Sequence, residues 1–250
     1  SFEMTVDTAG SPDSIFFKRT DTLDQPLADD DILVQVEASG VNFRDVLLVL
    51  GSIPWTRPGF EGAGTVLKAG SAVNDLQSGD KVFFGALHGG SFTTHMKMPS
   101  WHAAKIPEGF SMAESASISV AYSTAIMSVL RIGRLQQGES VLIHAASGAV
   151  GQACIVLARH VGAEVFVTAG SSAKRDFLRD EFNIPEDHIY SSRTPDFRDG
   201  ILSVTGGKGI DLVINSLSGN LLQQTWAIVA DFGRFVEIGK RDFLQNSYLP

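Results

Sequence analysis

The chain is poor in several things, and each shortage removes a class of answers. It has one cysteine in 250 residues, Cys154, which excludes an intrachain disulfide framework. Set inside a helical stretch, that cysteine reads as a small buried hydrophobe with no catalytic part. No uninterrupted apolar run reaches the roughly 18 to 20 residues needed to cross a bilayer. The N-terminus, Ser1-Phe-Glu-Met, lacks the basic and apolar regions of a secretory leader, so no membrane association and a cytoplasmic location are expected. Positive charge is scarce too: 20 Lys and Arg stand against 28 Asp and Glu, a formal charge of −8. Those cations are scattered rather than gathered into a stripe, which argues against nucleic acid as a partner. No internal repeat or low-complexity linker interrupts the chain. What remains is ordinary for an α/β enzyme: 44% hydrophobic residues, 19% charged and 25 glycines, enough for one large or two smaller cores.

Two textures follow one another. Residues 1 to 111 read as short strands and turns: Ile32 to Glu37 alternates with period two, Gly64 to Leu67 continues a strand, and Gly79-Asp-Lys-Val-Phe-Phe restarts one. From 112 the pattern changes to a long helix, Met112 to Leu130, and then to strands near 140–144, 164–168, 211–214 and 234–238 with helical stretches between them. That is the βαβ rhythm of a parallel, doubly wound sheet. The reading is an α/β chain with a mainly β domain over 1–111 and a doubly wound domain over 112–250.

The stretch from Val141 to Ala158 carries the chemistry, because an apolar strand breaks into a small-residue turn and then a helix. Read as A-x-x-G-x-x-G, its fixed positions are Ala145, Gly148 and Gly151, with Ser147, Ala149 and Val150 between them. Small residues there let backbone N–H groups and a helix N-terminus approach a pyrophosphate, and the third glycine allows tight helix-on-strand packing. Ala149 adds a methyl group near that pyrophosphate. An ordinary strand-to-helix turn is the competing reading of such a match. An NAD-binding unit would place an acidic residue about 20 positions on, at the end of the next strand. None is there. The strand Glu164 to Thr168 runs instead into Ala-Gly-Ser-Ser-Ala-Lys174-Arg175, whose hydroxyls and cations suit a 2′-phosphate, so NADPH is the expected cofactor. Cations at a helix start are otherwise mildly unfavourable, although they also serve as a solvated first turn.

Five segments in order, Gly-Val-Asn-Phe-Arg-Asp (40–45), Pro-Gly-Phe-Glu-Gly-Ala-Gly (58–64), Gly-Asp-Lys-Val (79–82), the glycine turn and Glu-Ile-Gly-Lys (237–240), carry a resemblance. The chain resembles the medium-chain dehydrogenase/reductase superfamily over essentially its whole length. It is most similar to enoyl reductase domains of multidomain polyketide synthases, fungal reducing ones in particular, and of animal-type fatty acid synthases. The resemblance implies a GroES-like substrate domain over 1–111 and a Rossmann cofactor domain over 112–250. It also implies further strands returning to the substrate half, so the chain reads as a segment of a longer polypeptide. Zinc-dependent members place a Cys where this chain has Asn42, a His where it has Phe60 and a Cys near Val120; no metal is expected, and His88, His95 and His102 read as surface or core histidines.

A metal-free member can still deliver hydride to an electron-poor carbon if fixed donors stabilise the developing charge. The resemblance makes the substrate an enoyl thioester on an acyl carrier protein, with other synthase domains in the same polypeptide and homodimerisation as the expected assembly. Lys240, after a strand and a glycine, is the candidate proton donor, partnered in the family it resembles by an Asp farther along, which falls beyond residue 250 if it belongs to the part of the family that continues past this chain; a solvated or cofactor-contacting lysine, with water as the acid, is the alternative. By the same resemblance Asn42 and Thr124 lie near the nicotinamide, Thr124 equally reading as a helix hydroxyl bonding its own backbone. Gly170, Ser171, Lys174 and Tyr190 surround the adenosine ribose and its phosphate, Tyr190 also reading as a half-buried strand aromatic. Asn215, Ser216 and Leu217 meet the nicotinamide ribose, and Ile238 and Gly239 flank the ring. Arg44 and Asp45 read as a structural ion pair or cap. The competing functions are a free-standing quinone or alkenal reductase and a catalytically inactive NADPH-binding scaffold.

Overall fold

Ile32 and Val34 are wholly buried while Leu33 between them and Gln35 beyond are more open, which is the period-two alternation of a strand lying on a core. They belong to a chain whose computed structural model describes residues 1–54, 57–246 and 248. Two compact units divide it, Ser1–Val120 and Ala121–Pro250.

The first unit begins with a hairpin of β1 (Phe2–Val6) and β2 (Ile15–Arg19). Then come β3 (Asp31–Ser39), α1 (Phe43–Val49), β4 (Glu61–Ala69), β5 (Lys81–Gly85), β6 (His95–Pro99), β7 (Ala103–Lys105) and α2 (Met112–Ser115). Strands β3 to β7 form one antiparallel five-stranded sheet in the order β6-β3-β4-β5-β7. Its core joins Ile32, Val34, Val66, Val82, Phe84 and Met98.

Next come α3 (Ile118–Ala125), β8 (Ser140–Ile143), α4 (Ala149–Val161), β9 (Glu164–Ala169) and α5 (Ser172–Phe182). They are followed by β10 (Ile189–Ser191), α6 (Phe197–Val204), β11 (Ile210–Asn215), α7 (Asn220–Trp226), β12 (Val229–Glu237) and α8 (Arg241–Leu244). Every strand from β8 to β12 pairs in parallel, in the order β10-β9-β8-β11-β12. Helices cover both faces, so β8 is buried at all four of its residues, and its Val141 to Ile143 form the unbroken apolar run typical of a parallel sheet. The order reverses between β8 and β11, and the carboxyl ends at such a switch point border a crevice.

Two expectations change. The helix read as continuous from Met112 to Leu130 is α2, a break, α3 and then a wide π-type turn over Ile126–Ile132. The buried carboxylate of Glu61 accepts the Val120 N–H at 2.7 Å, taking up a backbone donor at the start of α3. Beyond it, Gly133 N–H bonds back to Ser128 O at 3.0 Å, five residues away. The strand expected from Arg234 also begins earlier, at Val229. A bulge lies between: the ladder to β11 jumps from Ile210↔Val229 to Leu212↔Arg234. Phe232 sits in that bulge at φ +61°.

Candidate functional site: the carboxyl edge of the parallel sheet

At the end of β8 the chain turns with Ala145 at φ +51°, a left-handed conformation that costs an L residue about 1 kcal/mol. Ala146 N–H bonds Thr168 O at 2.9 Å and Gly148 N–H bonds Ala145 O at 3.0 Å, closing the turn. Gly148 then starts α4 as its N-cap, with no side-chain acceptor over the helix end. The first amides of a 13-residue helix therefore face outward with their partial positive charge. Gly148 and Ala149 are exposed, and Ser147 and Val150 half-buried. Gly151 is different: a Cβ there would lie 2.4 Å from Ala146 Cα, so only glycine lets α4 sit this close to the turn. Uncapped amides beside small residues fit the pyrophosphate of a dinucleotide.

The end of β9 supplies the second part. Ser171 caps α5, its hydroxyl accepting from Lys174 N–H at 3.4 Å, and Lys174 itself is exposed. Arg175 Nη1 donates to Ala169 O at 3.4 Å. Sequence reasoning missed Arg193, whose Nε donates to Gly170 O at 2.8 Å from the loop after β10. A Cβ on Gly170 would press on that guanidinium at 3.3 Å. Three cations thus gather where an NAD-binding unit would hold a carboxylate. Nothing local marks Arg193; only the parallel pairing of β10 with β9 brings it in. Tyr190 is half-buried, its hydroxyl donating to Asp187 O and its ring pressed on Gly200.

The third part lies at the ends of β11 and β12. Asn215 is wholly buried; its Nδ2 donates to Glu237 Oε2 at 2.6 Å and to Leu217 O at 2.8 Å. The other oxygen of Glu237 accepts Gly239 N–H at 2.6 Å, and Ile238 N–H bonds Asn215 O at 2.9 Å. One carboxylate therefore ties the 215–217 turn to the 238–239 turn. Burial pushes the Glu237 carboxyl above its ordinary value, partly offset by its Asn215 and Gly239 donors. Ser216 and Lys240 are exposed, and Asp242 accepts Gly219 N–H at 3.2 Å. Glu237 was read only as a motif letter, because its role needs a buried asparagine 22 residues away.

Asn42 belongs to the first unit. Its Nδ2 donates to Glu61 Oε1 at 2.9 Å, and a Cβ on Gly40 would strike that oxygen at 2.4 Å. Asp45 acts as the cap expected of it: Oδ2 accepts Asn42 N–H at 2.8 Å and Oδ1 accepts Gly59 N–H at 2.6 Å. Arg44 lies over the Phe60 ring at 4.2 Å instead of pairing with Asp45. Thr124 is half-buried on α3 between the core residues Ala121 and Ala125. The second unit thus brings the glycine turn, 168–175, 215–217 and 238–240 to one edge of its sheet.

Residues 149–248 match the family model described as zinc-binding dehydrogenase. Residues 28–108 match the alcohol dehydrogenase GroES-like domain. A highly reducing polyketide synthase of Preussia isomera, Preu5, is 52% identical over 250 residues, covering 100% of this chain and 10% of that protein. The CurK enoyl reductase has a similar structure, with a TM-score of 0.87 and 34% identity over 100% of this chain and 80% of that one. The Escherichia coli quinone oxidoreductase complexed with NADPH gives 0.82 and 24% over 96% and 73%, a likeness of fold alone. The chain spans about a tenth of the length of the curated relatives it matches. The zinc named in the first description finds no donor set at the matching positions: the Asn42 amide is committed to Glu61, and Phe60 is a buried ring. Among the described residues no three or more His, Cys, Asp or Glu side chains are placed to hold a metal ion.

Proposed function

Because the chain belongs to the medium-chain dehydrogenase/reductase family, in the branch of the polyketide enoyl reductases, we propose that it reduces the α,β-double bond of an enoyl thioester with NADPH. The observation that carries this is the join of an uncapped helix start at Gly148 to three cations around Gly170, at the switch point of a parallel sheet. Backbone amides of the glycine turn would take the pyrophosphate, and Lys174, Arg175 and Arg193 the 2′-phosphate. The tied turns at Asn215 and Gly239 would hold the nicotinamide end, with Thr124 as a further contact. When bound, the reduced cofactor supplies a hydride to the β-carbon of the substrate.

Lys240 follows the turn that Glu237 holds. It is the group this reading assigns to protonating the α-carbon as charge builds on the thioester oxygen. A carrier-bound thioester is the natural substrate on this account, since the curated relatives are multidomain synthases. The test is NADPH consumption with a crotonyl thioester. Lys240→Ala should lose about 100-fold or more in kcat while its NADPH affinity stays near that of the wild type. Turnover of a small quinone exceeding that of the thioester would favour the diffusible-substrate reading, and tight NADPH binding without any reduction would favour a scaffold.

A further inference from the structure

We propose that His144, as a neutral imidazole, is a positioning residue for the cofactor turn: through Thr168 it holds Ala145 in the conformation that receives the pyrophosphate. This rests on the cofactor reading above. The ring lies almost wholly buried at the end of β8, with Nδ1 2.9 Å from Thr168 Oγ1 on β9 and Nε2 3.0 Å from Thr225 Oγ1 on α7.

The donors can be assigned by elimination. Thr225 spends its one hydroxyl proton on Leu221 O at 2.7 Å, so toward the ring it can only accept, and Nε2 carries the hydrogen. Burial lowers the imidazole pKa to about 3, which leaves Nδ1 a bare acceptor at neutral pH. Thr168 Oγ1–H is its donor. That orients the hydroxyl of Thr168, whose lone pairs then face Ala145 N–H, a long contact at 3.4 Å. Thr168 O meanwhile accepts Ala146 N–H at 2.9 Å.

One residue of β9 thus holds two successive amides of the turn, and His144 fixes which way its side chain is polarised. Phe197 meets the ring edge-on at 5.3 Å between centroids. Freed from the ring, Thr168 could rotate its proton toward Ala145, and the strained φ at that residue would lose its partner.

The test measures NADPH affinity alongside thermal melting for Thr168→Val, Thr168→Ser and Thr225→Val, with 15N NMR of the His144 ring. We expect the Nε2–H tautomer in the wild type. Thr168→Val should bind NADPH roughly tenfold more weakly, as for one unsatisfied buried polar group. Thr168→Ser, which keeps the hydroxyl, should restore binding to within about twofold. Thr225→Val should weaken binding in the same direction and carries the test if Thr168→Val does not fold. Variants that melt cooperatively and bind NADPH like the wild type, or a ring protonated at Nδ1, overturn the proposal. A wild-type protein that binds no NADPH overturns the cofactor reading itself, and that failure shows before any variant is made.

Discussion

Two alanine substitutions three residues apart, at the N-cap and in the first turn of α4, should fail in opposite ways. At Gly151 a new Cβ would lie 2.4, 2.6 and 2.7 Å from Ala146 Cα, O and C. All three are backbone atoms, so α4 must move by about 1 Å to regain ordinary contact distances. Overpacking against backbone, which cannot rotate away, falls in the upper part of the usual range, about 2–3 kcal/mol, against about 1 kcal/mol gained from alanine's better helix propensity. A net loss of about 1–2 kcal/mol lowers Tm by roughly 2–8 °C for a chain of this size. At Gly148 the backbone is at φ −80° and ψ 167°, open to any residue, and a Cβ would meet only Ala145 O at 3.4 Å. Stability there should change by no more than about 0.5 kcal/mol, a weaker N-cap offsetting a less flexible unfolded chain. The methyl group would nevertheless stand beside the exposed amides. Gly148→Ala should therefore melt like the wild type and lose at least about tenfold in NADPH affinity, the loss of roughly one charge-assisted hydrogen bond. Thermal melts and fluorescence titration of both variants decide it. A Gly148→Ala protein with undiminished affinity, or a Gly151→Ala protein as stable as the wild type, would refute the account of this turn.

Removing Lys174 or Arg193 by alanine substitution should cut NADPH affinity by about tenfold each and leave NADH binding unchanged; equal losses for both cofactors would remove the 2′-phosphate assignment. The buried imidazole of His144 refuses the proton that the unfolded chain accepts at the ordinary value of 6.5. The unfolded state therefore gains as pH drops, and stability should fall from pH 6.5 toward about 3, at up to about 1.4 kcal/mol per pH unit. Urea midpoints measured against pH should show this acid limb, flattened in His144→Gln. A limb of equal slope in that variant would count against it. Cys154 is fully buried, and its thiol is pushed up to about 12. It should resist an aromatic disulfide reagent in the native protein and react at once in denaturant, whereas fast native labelling would mean that α4 opens locally.

The parallel sheet was legible because β8, β9 and β11 are apolar runs with no competing period. The glycine turn was legible because its constraint is local: Gly151 has no room and Gly148 has no side chain. The family resemblance read from five short segments is the one that the relatives and solved structures bear out. What escaped depends on partners distant in sequence. Glu61 lies 59 residues from the Val120 amide it captures, so the break before α3 left no mark in the apolar pattern of 112–130. Arg193 reaches Gly170 across 23 residues, and Glu237 reaches Asn215 across 22. Short strands such as β10 and β7, of three residues each, show too few alternations to stand out.

The most direct measurement follows the hydride. The protein is incubated with NADPH deuterated at the transferring position of the nicotinamide and with a crotonyl thioester, and the saturated product is analysed by mass spectrometry. The account predicts one deuterium on the β-carbon and a solvent proton on the α-carbon. A product without label at the β-carbon, or no saturated thioester while the cofactor stays bound, would contradict it.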